Sequence, residues 1–249
     1  MNTFKTSAEL KAIAKENLLG QYTTTIGATL LILAITMLLN SIVTFVVNPT
    51  NLITLIIYEI AIFIIELLMG VFTSGKAYLY LNIVYSQPST VGDIFYSFST
   101  HPDKAVGIQF VFSLFSLIVN LPITIYLNFY AGLGYSEIGN LLVIISCVGV
   151  IAYIYAVLTW SQAFYILQDF PDRSVKDILA TSARLMKGNR FRLFYISVSF
   201  IPLMLLCMIT MFIPFLWLNS YIEATMAAFY QDLIAVTSAN MATKANEQS

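Results

Sequence analysis

The chain has 249 residues, of which 59% are hydrophobic and 10% charged, with a net charge of −1; a soluble domain carries about 25% charged residues. With a mean hydropathy of +0.82 it reads as one integral membrane unit with short connections, too small for an added soluble enzyme, and no nucleic-acid partner is expected.

In chain order, Lys5, Lys11 and Lys15 precede the first apolar run in the manner of a secretory leader. The run at 26–47 is too long for a signal core, and no small-residue cleavage site follows it. Further runs near twenty apolar residues or longer lie at 52–84, 105–126, 138–167, 191–210 and 215–236, the last being the least apolar. The runs at 52–84 and 138–167 exceed what a bilayer core of about 30 Å needs, so their later turns should tilt or project. Gly70 and Gly75 suit a bend in the second run, and Pro122 and Pro202 suit bends around a cavity. Pro214 reads more simply as a turn.

Sidedness follows from the twelve Lys and Arg residues, because basic flanks are retained in the cytoplasm. All twelve fall in the N-terminal segment, the second-to-third connection, the fourth-to-fifth connection and the tail. The connections NPTN (48–51), NFYAGLGYSE (128–137) and MFIP (211–214) therefore face outward, with both termini inside, provided that 215–236 spans.

The stretch RSVKDILATSARLMKGNRFRLF (173–194) holds six of the twelve basic residues. At 100° per residue Val175, Ile178, Leu179, Ser182, Leu185 and Met186 share one face, and Lys176, Arg184 and Lys187 the other. Ser174 and Asp177 have capping-box spacing, and Gly188 and Asn189 suit a helix end. Such a helix would lie in the cytoplasmic interface with its basic side toward anionic headgroups, at about 1 kcal/mol per basic residue. Arg190 and Arg192 would snorkel at the mouth of the next span. The competing reading is a solvated loop whose charges only fix orientation.

The same signature, hydroxyl, two residues, acid, Leu or Ile, recurs as TSAEL from Thr6, TVGDI from Thr90 and SVKDI from Ser174, 84 residues apart each time. A constant period predicts three units, 6–85, 86–170 and 171–236, each a cytoplasmic amphipathic helix followed by a transmembrane hairpin. Residues 237–249 would form a polar cytoplasmic tail. GKAYLYL from Gly75, SQAFYIL from Ser161 and AAFYQDL from Ala227 put an Ala before an aromatic near each hairpin exit. The expected fold is all-α and polytopic, with six transmembrane helices as three hairpins.

Ionisable groups inside spans are the functional clues, since each costs at least about 2 to 3 kcal/mol at the bilayer centre. Glu59 and Glu66 share a helix face two turns apart, and Glu223 lies in the sixth run. They can bind protons, a cation or a cationic peptide, with Asn40, Asn120, Asn219 and Gln231 as neutral partners. The competing reading pairs them with Lys76 or tyrosines, or protonates them in packing. His101 is the single histidine, so an all-His metal site or a His-based triad cannot form within one chain. Asp169 and Asp172 flank Pro171 in a turn, GLG at 132–134 reads as a hairpin turn, and Cys147 and Cys207 read as packing residues. No enzymatic activity, cofactor or metal is expected.

From Gln162 to Leu233 the residues QAFYILQDFPDRSVKDILATSARLMKGNRFRLFYISVSFIP and LWLNSYIEATMAAFYQDL resemble the bacterial family catalogued as domain of unknown function 975. Upstream, SAELKAIAKENLLG fits that family's opening. The resemblance implies a multi-pass protein of the bacterial cytoplasmic membrane and carries over no catalytic residue. Two expectations result. One is an accessory or scaffold protein binding a membrane protein partner or anionic lipid headgroups, including protection against a membrane-active peptide. The other is a small permease or channel using the three Glu residues.

Overall fold

The structure is a computed structural model that describes residues 4–130, 137–211 and 213–247. Among the described residues it is wholly helical, without strands. The helices are α1 (Ser7–Asn17), α2 (Tyr22–Val46), α3 (Leu52–Val84), a 3-10 turn (Val91–Phe95) running into α4 (Tyr96–Ser99), α5 (Pro102–Phe129), α6 (Glu137–Trp160), α7 (Ala163–Asp169), α8 (Val175–Leu185), α9 (Arg190–Val198), α10 (Ile201–Ile209) and α11 (Phe215–Glu247). Five segments are long and apolar enough to cross a membrane: α2, α3, α5, α6 with α7, and α9 with α10. Their outward faces carry exposed Leu, Ile and Phe, such as Leu38, Phe45, Ile64, Ile118 and Ile151.

Helix α3 is the hub. Its 33 residues extend about 50 Å at 1.5 Å per residue, well beyond a hydrocarbon core of about 30 Å. The excess is the stretch from Gly70 to Val84, where nearly every residue is buried. Helix α3 runs without a break through Gly70 and Gly75, which let neighbours touch its backbone. A Cβ on Gly70 would lie 2.3 Å from Gln109 Cβ of α5, and one on Gly75 would lie 2.0 Å from the Ile94 carbonyl oxygen. Ser74 meets Ser97 of α4 at 2.9 Å and Gln168 of α7 at 2.8 Å, so a buried hydroxyl and amide set the register of three elements.

The three capped starts gather at this end of the bundle. Thr6 accepts from the Glu9 amide, and its own N–H donates to the Glu9 carboxylate at 2.6 Å. Thr90 and Asp93 form the same box, and Ser174 accepts from the Asp177 amide at 3.2 Å. Around the first and third caps the local geometry coincides. Both helices have 11 residues, and both end on a fully buried C-cap, Leu18 and Met186. Both are followed by a left-handed glycine, Gly20 at φ 80° and Gly188 at φ 88°. The second start differs: it is a 3-10 turn and one turn of α4, stopped by Thr100 and a left-handed His101. There the backbone of Ile94 packs directly on Gly75 of α3.

Two segments expected as continuous helices are broken, and each break is capped from elsewhere. Between α6 and α7, the Ser182 hydroxyl of α8 accepts from the Gln162 amide and donates to the Thr159 carbonyl at 3.0 Å. Between α9 and α10 the chain turns just before Pro202, which has no N–H and clashes with the preceding turn. Lys11 of α1 reaches that break, its ammonium 2.7 Å from Ser199 Oγ and 3.3 Å from the Ser199 carbonyl, over the Phe200 ring. Pro122 sits inside an unbroken α5. Helix α11 occupies the middle, packed on α1, α2, α3 and α10, with Ala224, Ala227, Ala228, Phe229, Tyr230 and Leu233 buried. It continues to Glu247, so the tail expected from residue 237 begins as helix. The GLG turn expected at 132–134 lies outside the described residues.

Candidate functional site

Within the apolar segments a polar cleft lies between α2, α3, α5 and α6. Two cavities of about 360 and 270 Å³ adjoin and share Asn40, Ile62, Glu66 and Ser116. Thr36 and Asn40 reach it from α2, Tyr58, Glu59 and Glu66 from α3, Gln109, Ser113, Ser116 and Asn120 from α5, and Tyr153 from α6. The amides of Asn40 and Asn120 bond back to their own helices, to the Thr36 carbonyl at 2.8 Å and the Ser116 carbonyl at 2.9 Å. Both glutamates are half-buried, and no cation pairs with either among the described residues. Chemically this is an acceptor-rich slot holding two carboxylates in a low-dielectric surround, suited to a proton or a cation.

Glu223 does not join them. Its carboxylate lies 2.7 Å from the Lys76 ammonium, which ties α11 to the buried half of α3. Asn219, one turn earlier, donates to Thr29 of α2 at 3.2 Å. The three glutamates that sequence grouped together therefore divide into two in the cleft and one in an ion pair.

The basic residues divide as well. Lys176, Arg184 and Lys187 are exposed, and among the described residues Arg184 bonds only to the neighbouring Thr181, at 3.2 Å. The opposite face of α8 is covered by protein rather than lipid: Ile178, Ser182 and Met186 are buried, and Val175 closes on Gly107 of α5. Arg190 and Arg192, expected to snorkel, are both engaged. Arg190 donates to the Tyr155 hydroxyl at 2.7 Å and lies over that ring. Arg192 pairs with the nearly buried Asp232 and donates to the Lys5 carbonyl at 2.7 Å, sandwiched between the Phe4 and Phe229 rings. Asp232 also faces the Lys5 amide and ammonium.

Asp169 accepts from the Tyr230 hydroxyl at 2.7 Å, apart from Asp172, and Tyr230 stacks on Tyr165 at 5.4 Å. Cys207 is buried and Cys147 exposed, both free. No group of three His, Cys, Asp or Glu placed to hold a metal occurs among the described residues. Outside the spans, hydrogen bonds from the Thr6 backbone and hydroxyl hold the Glu9 carboxyl below its ordinary value, and burial lowers Lys11.

Sequence reading named Asn120 as a neutral partner of the glutamates and missed the rest of the α5 wall of the cleft. Gln109, Ser113, Ser116 and Asn120 recur at i, i+4, i+7 and i+11, which is one helix face, and Thr36 and Asn40 repeat the spacing on α2. That polar stripe inside an apolar run was the available signal. Tyr155 carried none, since one exposed tyrosine in a span looks like any interfacial aromatic.

No curated protein and no solved structure matches the chain. A family model does, over residues 1–237, and it is the one described as "Protein of unknown function (DUF975)". With a match over nearly its whole length, the chain belongs to that family of unknown function.

Proposed function

We propose that the protein is a non-enzymatic six-span accessory or scaffold protein of the bacterial cytoplasmic membrane. It docks an acidic surface, of a membrane protein partner or of anionic headgroups, on the basic face of α8. The observation that carries this is the division of the arginines and lysines: Arg192 is paired with Asp232 inside the fold and Arg190 is held on Tyr155, while Lys176, Arg184 and Lys187 are exposed and without an ion pair among the described residues, on a helix whose apolar side is already covered. Three uncompensated cations held on a fixed helix attract an acidic partner and fade in influence with salt.

The sixth span is supported by α11 itself. Among the residues that lower its apolarity, Glu223 and Asp232 are charged, and both are neutralised, by Lys76 and Arg192, which is how charged residues are accommodated in membrane segments. The three-unit organisation is supported by the coincidence of the first and third capped helices. Cap, C-cap, left-handed glycine and next helix start are all displaced by twice the 84-residue spacing.

Full-length protein tests the docking face. A polarity-sensitive fluorophore on Ala180→Cys, with Cys147 and Cys207 changed to Ala, should shift to the blue in phosphatidylglycerol bilayers relative to phosphatidylcholine. The shift should vanish when Lys176, Arg184 and Lys187 become Gln. Identical spectra in both lipids would remove the lipid from this face and leave an acidic protein.

The cleft favours a second reading, a small permease or channel for a cation or proton. Reconstituted liposomes should then show a flux that Glu59→Gln and Glu66→Gln abolish and Lys176→Gln leaves intact. Absence of flux for protons and for common monovalent and divalent cations would end that reading.

A further inference from the structure

We propose that the grooves on the two sides of α6 hold one anionic glycerophospholipid, its phosphate on Arg190 and one acyl chain in each groove. The first groove, about 450 Å³, runs between α6 and α9 along Ile154, Leu158, Phe191 and Phe194. The second, about 570 Å³, lies on the other side of α6, against Phe115 of α5, and ends at Trp160. Each is of a size that buries a small ligand. They meet at Ile151 and Tyr155, which line both. Two apolar troughs divided by one ridge match an amphiphile with two chains, and a single-chain amphiphile would fill only one.

The head of that ridge is cationic. Arg190 begins α9, where an apolar segment starts, and at such a helix end a guanidinium stands at headgroup level. One nitrogen is held 2.7 Å from the Tyr155 hydroxyl, and the guanidinium carbon lies 4.7 Å from the ring centroid, so the side chain is fixed over the junction of the grooves. No carboxylate lines either groove, and none pairs with Arg190 among the described residues. One terminal nitrogen is on Tyr155 and Nε is buried, so the outer edge of a guanidinium without a counter-charge is what meets a phosphate oxygen. A free phosphate would satisfy the guanidinium and ignore the troughs, and the troughs are what commit the occupant to a lipid. The inference rests on the membrane reading above and is independent of docking by α8.

The chain has two tryptophans, and one of them, Trp160, lines the second groove, so Trp217→Phe isolates a reporter there. The protein is reconstituted in phosphatidylcholine bilayers, and its fluorescence is quenched with phosphatidylglycerol or phosphatidylcholine carrying brominated chains. Brominated phosphatidylglycerol should be preferred about fivefold, the factor that one basic residue near headgroups supplies. Arg190→Gln should erase the preference and Arg190→Lys should keep part of it. Tyr155→Phe, which keeps the ring and frees the guanidinium, should weaken it if Arg190→Gln does not fold. Changing Lys176, Arg184 and Lys187 to Gln should leave it unchanged. Equal quenching by both lipids, or a preference that survives loss of the Arg190 charge, overturns the proposal. A preference lost only in the α8 triple variant overturns it too and assigns the lipid to α8, whereas a lost fluorophore shift on α8 with the Trp160 preference intact would end docking of lipid on α8 alone.

Discussion

Asp232 is 3% exposed and faces the Arg192 guanidinium and both the amide and ammonium of Lys5. Removing its charge leaves a partly buried guanidinium without compensation, at a cost of about 3 to 5 kcal/mol. Asp232→Asn should therefore lower the thermal midpoint in detergent sharply, and a paired change of Arg192 and Asp232 to Leu should cost less than Asp232→Asn alone. An unchanged midpoint would mean that water reaches the site. Gly75 gives a second case. Gly75→Ala would push a methyl into the Ile94 backbone, which cannot swing aside, and overpacking costs about 1 to 3 kcal/mol. The same change at Gly20 meets open space, and its cost is the left-handed backbone alone, about 1 to 2 kcal/mol. Sequence reading had Arg192 reaching for lipid, because its acid partner lies 40 residues away on another helix. Charge and position were legible; the pairing needed the packing of α9 on α11.

The short helices act as caps for the long ones. The Lys11 ammonium binds the Ser199 carbonyl and hydroxyl at the α9–α10 break. Lys11→Met should leave that carbonyl unpaired at about 1 to 3 kcal/mol, seen as faster amide exchange confined to residues 199–204. At the start of α1 the folded carboxyl of Glu9 titrates below its unfolded value because Thr6 donates to it. The contribution is present above the unfolded pKa near 4.5 and is lost as pH falls through the lower folded value. Protection of the Thr6 amide should fade in that acid window and be insensitive to pH above it, and Thr6→Ala should remove the dependence. Capping boxes are local, so all three starts were readable from four-residue patterns. The breaks were not, because they depend on Ser182 and Lys11 arriving from other helices. The shortened second start was hidden as well, since its partner is the backbone of α3 at Gly75, far from it in sequence.

For the molecule as a whole, five segments announce themselves by apolar length, whereas α11 carries Glu223 and Asp232 and its span is the one proposed above from their pairing with Lys76 and Arg192. Topology reporters at Tyr130 and Glu247 should read outside and inside; an outside reading at Glu247 would take α11 out of the membrane and with it the third hairpin. The cleft was half legible: two glutamates two turns apart pointed to a shared face, and the opposing wall on α5 awaited the packing of the helices. The clamp between Lys5, Arg192 and Asp232 also bears on biosynthesis. The helix pairs α2 with α3 and α5 with α6 can assemble as each leaves the ribosome, but α1 packs chiefly on α11, far later in the chain. The N-terminal segment therefore waits undocked until α11 has been made. A protein truncated before α11 would keep Arg192 without its acid and α1 without its seat, and so would present to proteases two lesions that α11 covers.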